Sequence, residues 1–275
     1  MSWRIVLAGL LAALVSLPLT ADDKPKKDAG VSASDLSLEI TALRTLFNLR
    51  ATPEQMKAIG KLAKETAQKP KKRKDDASAD YRKLLAELRD ALAEDDDDRV
   101  ESLDDQIDER FADNAPDLDD QIELTAAARK RAPEVMRLLK APQVADYIAI
   151  IAADVTDPLD RILNSLDKVR SWKFDEWKDK RDDLGEEIGL LVAGVDKDKS
   201  GKVSKDVIAL LARARTLNED NYKKQRPELV KRARRIVADM GPTDVLRNLV
   251  EYALAELLSN ARLEQALKRR ASGGR

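Results

Sequence analysis

The chain of 275 residues contains no histidine and no cysteine. Without histidine there is no Ser-His-Asp or Cys-His catalytic apparatus and no imidazole ligand for a metal. Without cysteine there is no thiolate zinc site, iron–sulfur cluster, disulfide or thiol nucleophile. Aromatic residues make up only 4% and glycines number ten. No glycine loop has the spacing that cradles phosphate, and no G-x-S-x-G elbow occurs. Any chemistry must therefore come from carboxylates, Lys and Arg, hydroxyls or backbone.

Charge and aliphatic side chains are abundant. Lys and Arg total 50 against 51 Asp and Glu, and charged residues reach 37%. The near-cancellation argues against bulk nucleic-acid binding. Apolar residues still reach 43%, enough to bury a core, and they are mostly Leu, Ala, Val and Ile. Ala and Leu with few aromatics favour helix over sheet. A carboxylate pair could hydrolyse a glycoside, but with so many acids a pair somewhere is guaranteed and carries no information.

The chain starts with one positive charge, Arg4, followed by an apolar run from Ile5 to Val15 and a small residue, Ala21, before Asp22. This pattern predicts a secretory signal peptide over residues 1–21, cleaved after Ala21, and no membrane span thereafter. The mature chain would carry 49 cations against 51 acids. It would reside in the periplasm or be secreted, held without disulfides by its hydrophobic core alone. Residues 22–33 read as a flexible tether.

Apolar side chains then recur at steps of three and four. Leu36, Ile40, Leu43 and Phe47 follow a cap at Ser34. Thr52, Pro53 and Gln55 form a capping box ahead of Met56, Ile59 and Leu62. Ser78 opens a stretch through Leu92. At the acidic residues 94–98 either one long helix continues or two helices meet. Further helices are expected from Asp117, with Pro133 kinking or restarting the element, from Pro142, from a cap at Thr156 or Asp157, and from Asp182. Others are expected around Val207, from Asn218 with a restart at Pro227, and from Thr243 through Leu267. No segment alternates with period two between hairpin signals. The fold class expected is all-α: a multi-helix bundle of antiparallel helical hairpins, nine to eleven helices. The organisation expected is an N-terminal helical domain over 34–155 and a C-terminal one over 156–271, packed separately or as one body, with a tail at 272–275.

Three local patterns carry functional expectations. Asp196, Asp198, Ser200 and Ser204 place oxygens at positions 1, 3, 5 and 9 of an EF-hand-like loop. Gly201 stands at position 6 and Lys202 offers its backbone carbonyl, but Val207 replaces the bidentate acid at position 12. Calcium is the one metal these residues suggest, against the plainer reading of a polar loop between helices. No other cofactor is expected. The basic run at 69–74 suggests an anionic polymer or headgroup, against a solvated loop. Trp172, Phe174 and Trp177 read as a stacking platform or as a core anchor.

The segment Leu49-Arg50-Ala51-Thr52-Pro53-Glu54-Gln55 resembles the LTxxQ element of the Spy/CpxP family of small helical periplasmic proteins. Leu139-Lys140-Ala141-Pro142-Gln143 is similar to a second copy, keeping Leu and Gln and lacking Thr. The resemblance covers about ten residues and rests on Thr52, Pro53, Gln55 and Gln143. It implies an antiparallel helical cradle, often dimeric, that binds unfolding proteins or senses envelope stress without ATP. The function expected is thus a non-enzymatic exported protein acting by contact with proteins of the cell envelope, chaperone-like or stress-related, with a homodimer among its expected states. The alternative is a module binding calcium or an anionic cell-wall polymer, and third comes a carboxylate-based hydrolase.

Overall fold

The computed structural model describes residues 31–69, 71, 77–111, 116, 118, 120–153, 155–238 and 240–273. The expected signal peptide, most of the tether and most of the basic run at 69–74 lie outside them. The described residues form twelve α-helices and no strands. The all-α reading holds, with one helix more than the nine to eleven expected.

Helices α1 (Ala33–Asn48), α2 (Pro53–Thr66), α3 (Ala79–Glu94) and α4 (Asp97–Phe111) come first. Then follow α5 (Ala126–Leu138), α6 (Ala141–Ile151), α7 (Pro158–Lys168) and α8 (Phe174–Ala193). The last four are α9 (Lys197–Thr216), α10 (Glu219–Ile236), α11 (Pro242–Ser259) and α12 (Leu263–Gly273).

Local chemistry explains most starts. The hydroxyls of Thr52, Ser78 and Thr125 and the side-chain oxygens of Asp157 and Asn218 each accept from a backbone N–H two or three residues on. These bonds satisfy donors that the first helical turn leaves orphaned. The first cap is Ser32, accepting from Asp35 N at 3.1 Å, two residues before the expected Ser34, which is buried inside α1. At the acidic run two helices meet: Asp95 adopts φ 56° and closes α3 before α4 begins.

Several boundaries differ from the sequence reading. Residues 118 and 120–125 are not helical, and α5 begins only after Thr125. Pro133 and Pro227 lie inside unbroken helices rather than restarting them. An internal proline removes one helical hydrogen bond at a cost of about 3 kcal/mol. Its neighbours offset this by burial: Ala132 and Val135 around the first, Tyr222, Leu229 and Ala233 around the second. Helix α8 starts at Phe174, earlier than the expected Asp182. The final stretch is two helices parted at Asn260, and Gly241, not Thr243, caps the first of them.

The core forms two main clusters. One joins α1–α6 with α11 and α12 around Leu43, Leu46, Leu92, Leu254 and Leu258. The other joins α7–α10 around Ile162, Leu166, Trp177, Ile188 and Leu211. A small third cluster of Leu191, Val245 and Leu249 bridges α8 and α11. Residues 242–271 therefore complete the core of the first six helices rather than that of α7–α10. The reason is visible on α12 and at Arg262 just before it. Arg262 donates to Asp35 at 2.9 Å, Arg269 donates to Glu39 at 2.8 Å, and Arg270 donates to the Leu92 carbonyl at 3.0 Å. Charge-assisted bonds to α1 and α3 hold this helix while Leu263 and Ala266 bury their side chains.

Candidate functional site

The family-like motif residues meet. Gln55 occupies the third position of α2, and Gln143 that of α6. The Gln55 Oε1 accepts from Thr52 N at 2.9 Å, and the Gln143 Oε1 accepts from Lys140 N at 2.9 Å. Each amide thus closes its own helix start. Each also reaches across. Gln55 Nε2 donates to Gln143 Oε1 at 2.9 Å, and Gln143 Nε2 lies 3.0 Å from Gln55 Oε1. The remaining donor capacity caps the opposite chain: Gln55 Nε2 to the Leu138 carbonyl at 2.8 Å, Gln143 Nε2 to the Leu49 and Arg50 carbonyls at 3.0 Å. The two amides are related as if by a local two-fold axis, each binding the helix end that precedes its partner.

Backbone geometry prepares this arrangement. Arg50 takes φ 46° after α1, a left-handed position more often given to glycine. Arg50 N donates to the Phe47 carbonyl at 2.8 Å and Ala51 N to the Leu46 carbonyl at 3.1 Å. The sharp reversal aims the Leu49 and Arg50 carbonyls at Gln143. Thr52 and Pro53 then start α2 as the capping box expects. Each neutral bond is worth about 1 kcal/mol net, and a buried donor left alone costs more, about 1–3 kcal/mol. Because Gln55 is buried, the site is a structural clamp between two helical hairpins rather than an open cleft. The exposed Leu138 side chain adjoins it.

The residues read as a calcium loop are arranged otherwise. Asp196 caps α9, accepting from Lys199 N at 3.1 Å, and Asp198, Ser200, Lys202 and Ser204 are all helical. The Lys202 carbonyl is therefore part of the helical ladder, and the oxygens of this set spread around the helix instead of converging on one point. Ser204 is buried against α8, where a Cβ on Gly185 would come within 2.7 Å of its hydroxyl oxygen. The expected loop is corrected to a capped helix start. The Asp196 carboxyl is lowered first by the Lys199 backbone N–H, as an N-cap should be. Among the described residues no three acids are grouped to hold a metal.

The aromatic triplet divides. Trp177 is buried in the core of α7–α10, its ring 6.4 Å from that of Trp172, whereas Phe174 remains 66% exposed. A neighbouring network ties α7 to α10. Tyr222 donates its hydroxyl to Asp167 at 2.6 Å, and this bond is the first cause of the lowered Asp167 carboxyl. The Arg170 guanidinium lies 4.0 Å from the centre of the Tyr222 ring and bonds Glu219 at 2.7 Å.

Two features escaped the sequence reading. On α11, burial pushes the Glu256 carboxyl up to about 7. Tyr147 and Tyr252 beside it are raised first by burial and next by the Glu256 charge. The apolar spacing of α11 left this position unremarked, although an acid between Ala255 and Leu257 on a buried helix was its signal. The second feature is a shallow concavity of about 540 Å³ on α10, lined by Lys223, Arg226, Pro227, Val230, Lys231 and Arg234. The only large apolar side chains exposed among the described residues are Leu138 and Phe174. Among the described residues, exposed large apolar side chains thus stand singly rather than as a patch. No family model, no curated protein and no solved structure matches the chain.

Proposed function

We propose that the chain is an exported, non-enzymatic helical protein that works by contact with other proteins of the cell envelope, in a chaperone-like or stress-related role. The observation that supports this reading is the reciprocal pairing of Gln55 and Gln143. Two segments that each resemble one repeated motif, with Gln55 and Gln143 88 residues apart, form a single reciprocal clamp. Ordinary capping boxes require no such pairing, since each closes its own helix locally. The clamp fixes hairpins α1–α2 and α5–α6 against each other, as a rigid helical scaffold requires.

Contact would run through charged helix faces, since only two large apolar side chains stand exposed among the described residues. The test uses the protein lacking residues 1–21 and a chemically denatured client diluted from denaturant. Light scattering is expected to fall as the protein approaches equimolar ratio, more at low ionic strength than at high. Unchanged client aggregation at every ratio and salt concentration overturns the proposal.

A further inference from the structure

Helices α4 and α10 each pack by one face only and leave the opposite face open, and the two open faces carry opposite charge. On α4, Asp97, Asp98, Glu101, Asp105, Asp108 and Glu109 are all exposed. They recur at helical spacing away from the buried Leu103. None of these carboxylates makes an ion pair or a side-chain hydrogen bond among the described residues. The helix's cations are set apart from this face, with Arg99 paired to Glu94 at 3.2 Å. On α10, Lys224, Lys231, Arg234 and Arg235 are exposed opposite the buried Tyr222, Leu229 and Ala233. Among the described residues these four cations likewise have no ion-pair partner. Lys223 extends the row but is paired with Glu219 at 3.4 Å, and Glu228 at its edge is paired with Arg232 at 3.6 Å.

The two rows are opposite in sign and alike in length. From Asp97 to Glu109 and from Lys224 to Arg235 each spans about 17–18 Å at the α-helical rise. The basic row borders the concavity over Lys231 and Arg234. The whole chain carries a net charge of only −1, so two copies approach without bulk repulsion while the segregated rows attract. We infer that the α10 face docks the α4 face of a second copy of this chain. Such a contact is heterologous, since the surfaces joined are different on the two partners. It closes into a ring or extends as a chain according to the rotation between copies.

Sedimentation velocity on the purified protein tests this. Around 0.01 M salt, where screening extends to about 30 Å, the sedimentation coefficient is expected to rise with protein concentration. Near 1 M salt, where it extends to about 3 Å, the protein is expected to remain monomeric. Reversing α10 (K231E, R234E, R235E) or α4 (D98K, D105K, E109K) is expected to weaken association at least about tenfold. Mixing the two reversed proteins, or combining both reversals in one chain, is expected to restore it. Circular dichroism checks that each variant is folded. Should a reversal unfold the protein, the neutral set K231Q, R234Q, R235Q and the salt dependence of the unaltered chain give the same reading. A monomer at every salt concentration overturns the inference, and so does association that both reversals leave unchanged. Binding of the monomer to anionic phospholipid vesicles or to peptidoglycan, lost on α10 reversal, overturns it in favour of that occupant.

Discussion

Burial raises the Glu256 carboxyl to about 7 in the folded chain, so that it is protonated below neutral pH, whereas in the unfolded chain it ionises near its ordinary value of 4.5. The folded state therefore binds more protons between about 4.5 and about 7. By linkage, the Glu256 contribution to stability is fully present at low pH and is lost as pH rises through that window. The shift corresponds to a contribution on the order of 3 kcal/mol. Substituting Glu256→Gln is expected to raise the melting temperature at pH 8 and leave it nearly unchanged at pH 4, which thermal melts monitored by circular dichroism at the two pH values would check. An equal gain at both would show that the carboxyl is solvated. The one sign of Glu256 in the sequence is an acid between Ala255 and Leu257, because its burial depends on the helices packed against α11 and not on its own neighbours in sequence.

At the scale of the helix, glycines separate two kinds of demand. A Cβ on Gly189 would stand 2.6 Å from the Ser200 carbonyl oxygen, and one on Gly185 would meet Ser204 and Ile208. These positions let α8 and α9 approach closely. Gly201, on the same pair of helices, faces open space within 4 Å. Gly189→Ala is expected to cost about 1–3 kcal/mol by overpacking. Gly201→Ala is expected to gain up to about 1 kcal/mol, because glycine in a helix interior carries excess chain entropy. Urea unfolding of both variants gives the sign. A loss at Gly201 would contradict the helical start of α9 and revive the loop geometry. The capping residues Thr52, Ser78 and Asn218 were legible in the sequence because a cap bonds its own next turn, whereas between Thr156 and Asp157 only the structure selects Asp157. The 196–204 segment was not, since Asp-rich turn chemistry and an N-capped helix share their first residues. Packing of Ser204 and Val207 against neighbouring helices selects the latter.

Across the whole molecule, the joint between the two main clusters is small. Leu191, Val245 and Leu249 form its apolar part. Gly194 ends α8 at φ 58°, close against Asn248, whose Nδ2 donates to the Leu191 carbonyl at 3.0 Å. Arg129 adds a bond to the Val195 carbonyl at 3.0 Å. Replacing both Asn248 and Leu249 by Ala leaves a buried carbonyl unpaired and a cavity beside it, costs of about 1–3 and about 2–5 kcal/mol respectively. Calorimetry of this double variant is expected to show two separated transitions, α7–α10 melting apart from the rest. A single transition shifted as a whole would show that the clusters unfold as one unit.

The sequence by itself determined the helices. Their periodic apolar faces and their caps are short-range patterns, set by hydrogen bonds three residues apart and by side chains one turn apart. Thr52, Pro53 and Gln55 opened a helix on those grounds alone. Only the tertiary structure decided which helices share a core, why Pro227 sits in an unbroken helix, and that Gln55 reaches Gln143. Each of these depends on residues distant in the chain: α12 arginines on α1 carboxylates, α7 and α9 against the buried side of α10, one hairpin against another. Such pairings follow from summed burial and charge over the whole molecule, which no local period encodes.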